Sequence, residues 1–167
     1  RIAAVWLVSI ALAAPVFAQA SAATAQAAPA AARGQAYFQF LEARRLQAEG
    51  DLAGAQAALE RAIALDPQSA ELHAELAGFH ARQNDGVAAE AEARKAVAID
   101  ADNLEGNRLL GLVYAAWAQG RERSPDGRTP DVLRDEAITH LARILSTPTV
   151  ATDLNLQLTL ARLYLDA

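Results

Sequence analysis

Apolar residues recur at helical spacing through most of the chain, and one twelve-residue pattern occurs twice. Residues 55–66 read AQAALERAIALD and residues 89–100 read AEAEARKAVAID. Their closing aspartates, Asp66 and Asp100, stand 34 residues apart, and small or branched apolar residues fall at matching places in both segments. A fixed period of this length is typical of stacked helical arrays, because each unit buries its apolar face only against its neighbours.

Turn and capping residues predict where these helices begin and end. Gly50 can adopt the left-handed conformation that ends a helix, and Asp51 can cap the helix that follows. Pro67 ends that second helix, because the residue before a proline avoids helical geometry. Ser69 and Asn103 are further N-cap candidates. These turn and capping residues therefore predict successive antiparallel helices from residue 35 onwards.

The last segment fits two patterns. Its leucines at 154, 156, 158 and 160 alternate as in a strand, whereas those at 156, 160 and 163, with Tyr164, recur as in a helix. The repeat register favours the helix.

A set of small and apolar residues recurs at the spacing of a known repeat family. Repeat 1 has Ala43, Leu46, Gly50, Ala55, Leu59, Ala62 and Pro67; repeat 2 has Leu76, Ala77, Ala89, Ala93 and Ala96; repeat 3 has Leu110, Gly111, Tyr114, Ala137, Leu141 and Ile144. The chain resembles the tetratricopeptide repeat (TPR) family over residues 35–167. This resemblance implies an all-α fold, a right-handed α-solenoid (TPR superhelix) of antiparallel helix pairs with about three and a half repeats.

The repeat register divides the chain into units. Repeats 1, 2 and 3 span residues 35–69, 70–103 and 104–149, and residues 150–167 form the first helix of a truncated fourth repeat, so we interpret the chain as a fragment. Repeat 3 is longer than the others because of an inserted loop at residues 119–130, where Gly, Pro and mixed charge predict no helix. We expect this loop to be solvated, with a partner contact as the alternative.

The N-terminal segment has the features of a secretory signal peptide. One positive charge precedes an apolar run, and Pro15 and small residues follow, so residues 1–20 are predicted to be removed near Ala18 or Ala20. The alternative, a membrane anchor, is disfavoured because the thirteen-residue run is shorter than the hydrocarbon core. Residues 21–34, rich in Ala, Gln and Pro, are predicted to form a flexible linker. The bacterial periplasm is therefore the expected location.

The resemblance also implies a binding groove, because the first helix of each TPR unit lines the concave side of the superhelix. Its register gives the groove residues Tyr37, Phe40, Arg44, Gln47, Glu71, Ala74, Gly78, Arg82, Glu105, Arg108, Leu112 and Arg162. Aromatic and Arg side chains suit a polypeptide partner. The alternative is that the aromatic residues are core and the arginines are solvated or paired internally.

One TPR subgroup clamps C-terminal carboxylates with Lys and Asn side chains. Phe40 and Arg44 stand in two of those places here. The sequence therefore argues against a receptor for chaperone tails.

The chain has few residues that could carry catalysis. It has no Cys, and Lys95 is its single lysine. His73 and His80 share a helix face, yet the HExxH spacing is missing, so we interpret them, with His140, as packing residues and expect neither metal nor cofactor. No nucleophile or phosphate-loop motif occurs. The net charge of −5 disfavours a nucleic-acid partner.

The sequence thus predicts an exported, non-catalytic scaffold of the cell envelope that binds a protein or peptide in its concave groove, without membrane insertion after signal cleavage. An alternative is the docking or regulatory region of a larger exported enzyme, with the catalytic domain beyond residue 167. Self-association through the open C-terminal end is a third hypothesis, because the leucines near that end do not form the polar outer surface of a terminal repeat.

Overall fold

Seven helices, with no strand among them, form the part of the chain that the computed structural model describes, residues 17–120 and 124–166, with side chains from residue 30. The helices are α1 (Phe17–Glu49), α2 (Leu52–Leu65), α3 (Ala70–Arg82), α4 (Gly86–Ile99), α5 (Leu104–Ala118), α6 (Pro130–Leu145) and α7 (Leu154–Leu165). The prediction of an all-α fold is confirmed, including the helix predicted for the last segment.

The predicted capping residues lie at the helix ends. Gly50 has φ of +82°, a conformation that a side chain would disfavour. Asp51 accepts a hydrogen bond from the Gly54 amide at 2.9 Å, and Asn103 accepts one from the Gly106 amide at 2.8 Å. These bonds satisfy amides that have no partner within their own helix, so local chemistry fixes where each helix begins.

Consecutive helices pack as antiparallel pairs, α1 with α2, α3 with α4 and α5 with α6, and the pairs stack through α2–α3, α4–α5 and α3–α5 contacts. Small residues allow close approach within each pair. Ala43 and Ala77 have no exposed surface, and an added Cβ on Gly111 would lie 2.6 Å from Leu141 Cδ2. The sequence repeat thus reflects the places where two helices nearly touch.

Helix α1 begins at Phe17, well before the predicted start at Gln35. The structure therefore differs from the sequence analysis, which assigned residues 21–34 to a flexible linker. The physical reason is the alanine content of this segment, since alanine has the highest intrinsic helix propensity and the segment continues directly into a packed helix. The predicted signal peptide lies outside the described residues except for residues 17–20, and its cleavage stays a prediction.

The inserted loop is fixed by Arg128 rather than solvated throughout. This side chain is only 15% exposed, contacts Glu136, and lies 3.0 Å from a carboxylate oxygen of Glu90 and 2.7 Å from one of Asp126. Its guanidinium carbon lies 4.6 Å from the centre of the Tyr114 ring. Residues 121–123 of the loop lie outside the described residues, but the part beside α6 is anchored to three helices by these contacts.

Helix α7 packs against α6 and buries Leu156 and Leu163, whereas Leu154 and Leu158 are exposed. Self-association through this exposed face stays a prediction. None of the helices in the described ranges combines the length and the apolar character that a membrane-spanning segment requires.

Candidate functional site

The predicted groove residues on α1 and α3 contribute to a cavity of about 380 Å³, which we call the α1–α3 pocket. Tyr37, Phe40 and Glu71 from the predicted set line it, together with the apolar side chain of Leu72. Tyr37 is 62% exposed and Phe40 is half-buried, with 6.2 Å between their ring centres. An aromatic wall that is open on one side can accept an apolar side chain from a partner.

Ion pairs border this pocket. Arg33 lies 3.6 Å from an Asp66 carboxylate oxygen, and Arg44 of α1 lies 3.6 Å from a carboxylate oxygen of Glu75 on α3. Glu71 accepts a hydrogen bond from the Ser69 hydroxyl at 3.1 Å. The arginine predicted to contact a partner at position 44 is therefore paired within the chain, as the alternative interpretation of these arginines allowed.

A second cavity of about 420 Å³ lies between α3 and α5, and we call it the α3–α5 pocket. Four predicted residues, Gly78, Arg82, Arg108 and Leu112, line it. Sequence reasoning missed other lining residues on α5, namely Leu109, Val113, Ala116 and Trp117. Their spacing places them on the helix face beside the predicted stripe, so widening that stripe by one position on each turn would have found them.

The two arginines of the α3–α5 pocket differ in their surroundings. Arg108 donates hydrogen bonds to Glu105 at 2.7 Å and 2.5 Å. These bonds raise the pKa of Arg108, although burial opposes the shift. Arg82 is exposed on the neighbouring helix, and no acidic partner contacts it within the described residues. The pocket thus combines an apolar wall with one charge that the chain itself leaves unbalanced.

The tetratricopeptide repeat family matches residues 46–121, and six of the seven described helices form the antiparallel pairs of that repeat. The described helices thus have the tetratricopeptide repeat fold. TPR domains generally mediate protein–protein interaction, and their fold is typically a non-catalytic interaction module.

Solved TPR structures share this fold. The first TPR of Spaghetti (RPAP3), bound to the HSP90 peptide SRMEEVD, superposes with a TM-score of 0.63 at 15% identity, covering 80% of this chain and 96% of that one. The TPR2B domain of yeast Sti1, in a complex with an Hsp70 peptide, gives 0.59 at 15% identity, covering 80% and 98%. The human IFIT1 dimer with m7Gppp-AAAA gives 0.60 at 26% identity, covering 78% of this chain and 28% of that one.

A curated relative is cellulose synthase operon protein C of Xanthomonas axonopodis pv. citri (strain 306). The two are 44% identical over 86 residues, which make up 51% of this chain. The chain spans only 6% of the length of that relative.

Five predicted residues of the TPR groove line neither pocket, and one of them is the paired Arg44 described above. Glu105 is bound to Arg108, and Ala74 is buried in α3. Gln47 is half-buried, and its Nε2 is buried without a hydrogen-bond partner in the described part of the chain. Arg162 is exposed on α7. The structure therefore brings most, but not all, of the predicted set into the two pockets, and contact with a partner stays a prediction for every member.

Two of the three histidines form hydrogen bonds within the helical array. His73 is 6% exposed, and its Nδ1 lies 2.7 Å from Glu92. Burial opposes ionisation of Glu92, but hydrogen bonds with Lys95 and His73 hold the pKa of its carboxyl below the usual value. His140 Nδ1 lies 2.8 Å from the Asn107 amide oxygen, and burial lowers the pKa of this imidazole. Within the described ranges, no group of three or more potential ligands is arranged to hold a metal ion.

Proposed function

We propose that this chain is a non-catalytic interaction module that binds a segment of another polypeptide along its A helices, α1, α3 and α5. The observation that carries the proposal is the pair of cavities, each walled by A helices and each lined by apolar side chains. Preformed pockets of a few hundred Å³ accept side chains at low conformational cost, because the binding surface is ordered before the partner arrives.

Apolar residues in the pockets and charged residues at their rims contribute differently to binding. Burial of partner side chains against Tyr37 and Phe40 in one pocket, and against Leu112 and Val113 in the other, supplies the affinity. Charged residues at the rims contribute less energy in water, but they determine which segment binds and in which direction.

The comparisons support a polypeptide as the ligand. Two structural neighbours, from RPAP3 and Sti1, are TPR domains in complex with HSP90 or Hsp70 peptides. The partner of this chain differs from those tails, because Phe40 and Arg44 occupy two positions where the carboxylate-clamping subgroup uses Lys and Asn, and Arg44 is already paired with Glu75.

We further propose that the module works in the cell envelope, in the bacterial periplasm. The signal-like pattern of residues 1–20 and the relative from a cellulose synthase operon support this location. The partner would then be another exported protein.

A second candidate function is the docking or regulatory region of a larger exported enzyme. The observation in its favour is the relative's much greater length, since this chain covers only 6% of it. A catalytic motif downstream of residue 167 in the encoding gene would favour the enzyme, whereas further repeats would favour a scaffold.

Site-specific crosslinking in intact cells tests the groove. A photoreactive amino acid at Leu112 should give a discrete adduct with a second protein, and the same group at Glu60, an exposed residue of α2, should not. Filling the α3–α5 pocket with Gly78→Phe should abolish the adduct, because the new ring would occupy space near Arg82 and Leu109. An adduct of equal yield from Glu60, or one that persists in Gly78→Phe, would place the interaction elsewhere.

A further inference from the structure

Helix α3 carries opposite charges at the two ends of its groove-facing stripe. Glu71 lies in its first turn and Arg82 in its last turn. Eleven residues separate them, which is close to three full turns, so the two side chains project from the same face about 16 Å apart along the helix axis. The small residues Ala74 and Gly78 lie between them on this stripe, so no bulky side chain separates the two charges.

Glu71 and Arg82 differ from Arg44 and Arg108 in having no ion-pair partner among the residues whose side chains the structure describes. Arg44 and Arg108 are paired with Glu75 and Glu105 across short distances. By contrast, Glu71 accepts a hydrogen bond only from the Ser69 hydroxyl, and Arg82 forms no ion pair with a carboxylate, among the residues whose side chains the structure describes. An unpaired charge on a binding surface is free to pair with a ligand without first breaking an internal bond.

Each unpaired charge borders one of the two pockets. Glu71 lines the α1–α3 pocket, next to the aromatic wall of Tyr37 and Phe40. Arg82 lines the α3–α5 pocket, next to Leu112 and Trp117. The groove therefore repeats one motif, an apolar pocket with a charge at its rim, and reverses the sign of the charge from one end of α3 to the other.

We propose that the groove, if it binds a polypeptide as argued above, selects a segment with a basic residue beside the apolar side chain that enters the α1–α3 pocket, and an acidic residue beside the one that enters the α3–α5 pocket. An extended chain advances about 3.3 Å per residue, so the two charges of the partner stand about five residues apart. Only one direction of the segment pairs both charges, and the reversed direction brings like charges together.

A purely structural role is the competing explanation. A carboxylate in the first turn and a guanidinium in the last turn both interact favourably with the helix dipole. In that case Glu71 and Arg82 stabilise α3 and take no part in ligand choice. Ligand selection, rather than stability, therefore distinguishes the two roles.

Peptide selection with the full chain provides the test. A displayed library of random twelve-residue peptides is panned separately against the wild-type chain, Arg82→Glu and Glu71→Arg. Wild-type selection should enrich peptides with one basic and one acidic residue about five positions apart, each beside an apolar residue. Arg82→Glu should reverse the preferred sign at the acidic position alone, and Glu71→Arg should reverse it at the basic position alone.

Binding of one selected peptide, followed by fluorescence anisotropy, makes the test quantitative. Arg82→Glu should weaken the peptide on the order of tenfold or more, and replacing the peptide's acidic residue by Lys should restore most of that loss. Arg143→Glu, an exposed α6 arginine outside both pockets, is the matched control and should change affinity less than about twofold. Far-UV circular dichroism verifies that each variant keeps its helices.

The outcomes separate the two proposals. One outcome supports binding in the groove but overturns selection by Glu71 and Arg82. In that outcome, Gly78→Phe loses peptide binding, yet Arg82→Glu selects peptides with the same charges as the wild-type chain does. Failure of the wild-type chain to select any peptide, or retention of binding by Gly78→Phe, would overturn the groove function itself. If Arg82→Glu selects peptides with a basic residue at the formerly acidic position, both the groove function and the proposed charge selection are supported.

Discussion

The first and third helix pairs share one register but are packed with different side chains. The contact between α1 and α2 consists mainly of alanines, with Ala43, Ala55 and Ala58 fully buried around Leu59. The contact between α5 and α6 is built on larger residues, which are Leu110, Tyr114, Leu133, Leu141 and Ile144. The third pair also carries the inserted loop, and the first pair has a two-residue turn, 50–51.

This difference indicates what the repeat register does and does not constrain. A small residue is needed only where the helix axes approach most closely, as at Ala43 and Gly111. Elsewhere the third pair gains buried area from larger side chains, and Arg128 from the loop covers the Tyr114 ring. The insertion is therefore accommodated by packing that the alanine-rich pair does not have.

Of the substitutions that compare the two helix pairs, Arg128→Ala should cause the largest loss of unfolding free energy. Arg128→Ala leaves Glu90, which is 7% exposed, without its principal cation and with only the Tyr114 hydroxyl and a longer contact to Arg94. Loss of one partner from a largely buried ion pair costs about 3–5 kcal/mol, because the remaining charge stays desolvated. Urea denaturation should show this loss of unfolding free energy.

The matched control for that variant is Arg143→Ala. Arg143 pairs with Asp102 at 3.0 Å on the surface, so its removal should cost no more than about 1 kcal/mol. Equal losses of unfolding free energy for the two substitutions would mean that Arg128 does not anchor the loop. The third pair would then be as independent of loop contacts as the first.

Alkaline pH should destabilise the third helix pair through Tyr114, which contacts Glu90 and Arg128. Burial raises the pKa of Tyr114 to about 12, and the nearby Glu90 carboxylate also favours the neutral phenol. The unfolded chain releases this proton near pH 10, so the stabilising contribution is fully present below pH 10 and is lost as the pH rises to about 12. A shift of this size corresponds to roughly 1–3 kcal/mol.

The pH dependence is measured as the urea midpoint between pH 9 and pH 12. The Tyr114→Phe variant lacks the titrating group, so its midpoint should fall less steeply than that of the wild-type chain over this interval. Parallel curves for the two proteins would show that Tyr114 is not the residue responsible.

The helix contact of the third pair should not tolerate the alanine that the first pair has at the same register position. Gly111→Ala creates the residue that repeat 1 has at this register position, Ala43, yet the new Cβ would lie 2.6 Å from Leu141, which is fully buried. Overpacking of this kind costs about 1–3 kcal/mol, against a gain of less than about 1 kcal/mol in helix propensity.

Gly78→Ala serves as the control for Gly111→Ala. Its nearest neighbour would be the Arg82 Nη1 atom at 3.4 Å, which is an ordinary contact at the end of a flexible side chain. Thermal denaturation should therefore show a stable or slightly stabilised Gly78→Ala and a destabilised Gly111→Ala. A neutral Gly111→Ala would mean that the α5–α6 pair can separate to the distance found in the first pair.

Sequence reasoning predicted the parts of this fold that depend on local chemistry. The caps Asp51 and Asn103, the left-handed Gly50 and the helical character of the last segment follow from residue type and spacing, and the structure has them. The contacts of Arg128 could not be predicted in this way. They join the loop to α6, which follows it directly, and to α4 and α5, which precede it, and a charge pattern does not reveal which opposite charge becomes buried beside Arg128.

The candidate groove shows the same division. The register identified residues on helix faces that line the two pockets, including Phe40 and Leu112, because helical periodicity determines which face a residue occupies. It did not indicate that Arg44 and Arg108 would be paired internally while Arg82 would not. The Arg108–Glu105 pair lies within α5 at i, i+3 spacing, whereas the Arg44–Glu75 pair depends on the distance between α1 and α3, which no single helix encodes.

Helix capping should give the smallest difference between the two pairs. Asp51 accepts from the Gly54 amide at 2.9 Å at the start of α2, whereas Thr129 accepts from the Val132 amide at 3.5 Å at the start of α6. Asp51→Ala should cost about 1 kcal/mol, because it removes a short, charge-assisted bond and a favourable charge at the helix N-terminus. Thr129→Ala should cost about half as much, since its bond is long and Pro130 already fixes the first helical residue. Urea denaturation of both variants at pH 7 measures the order, and a larger loss for Thr129→Ala would show that the loop-bearing pair depends on its cap more than the alanine-packed pair does.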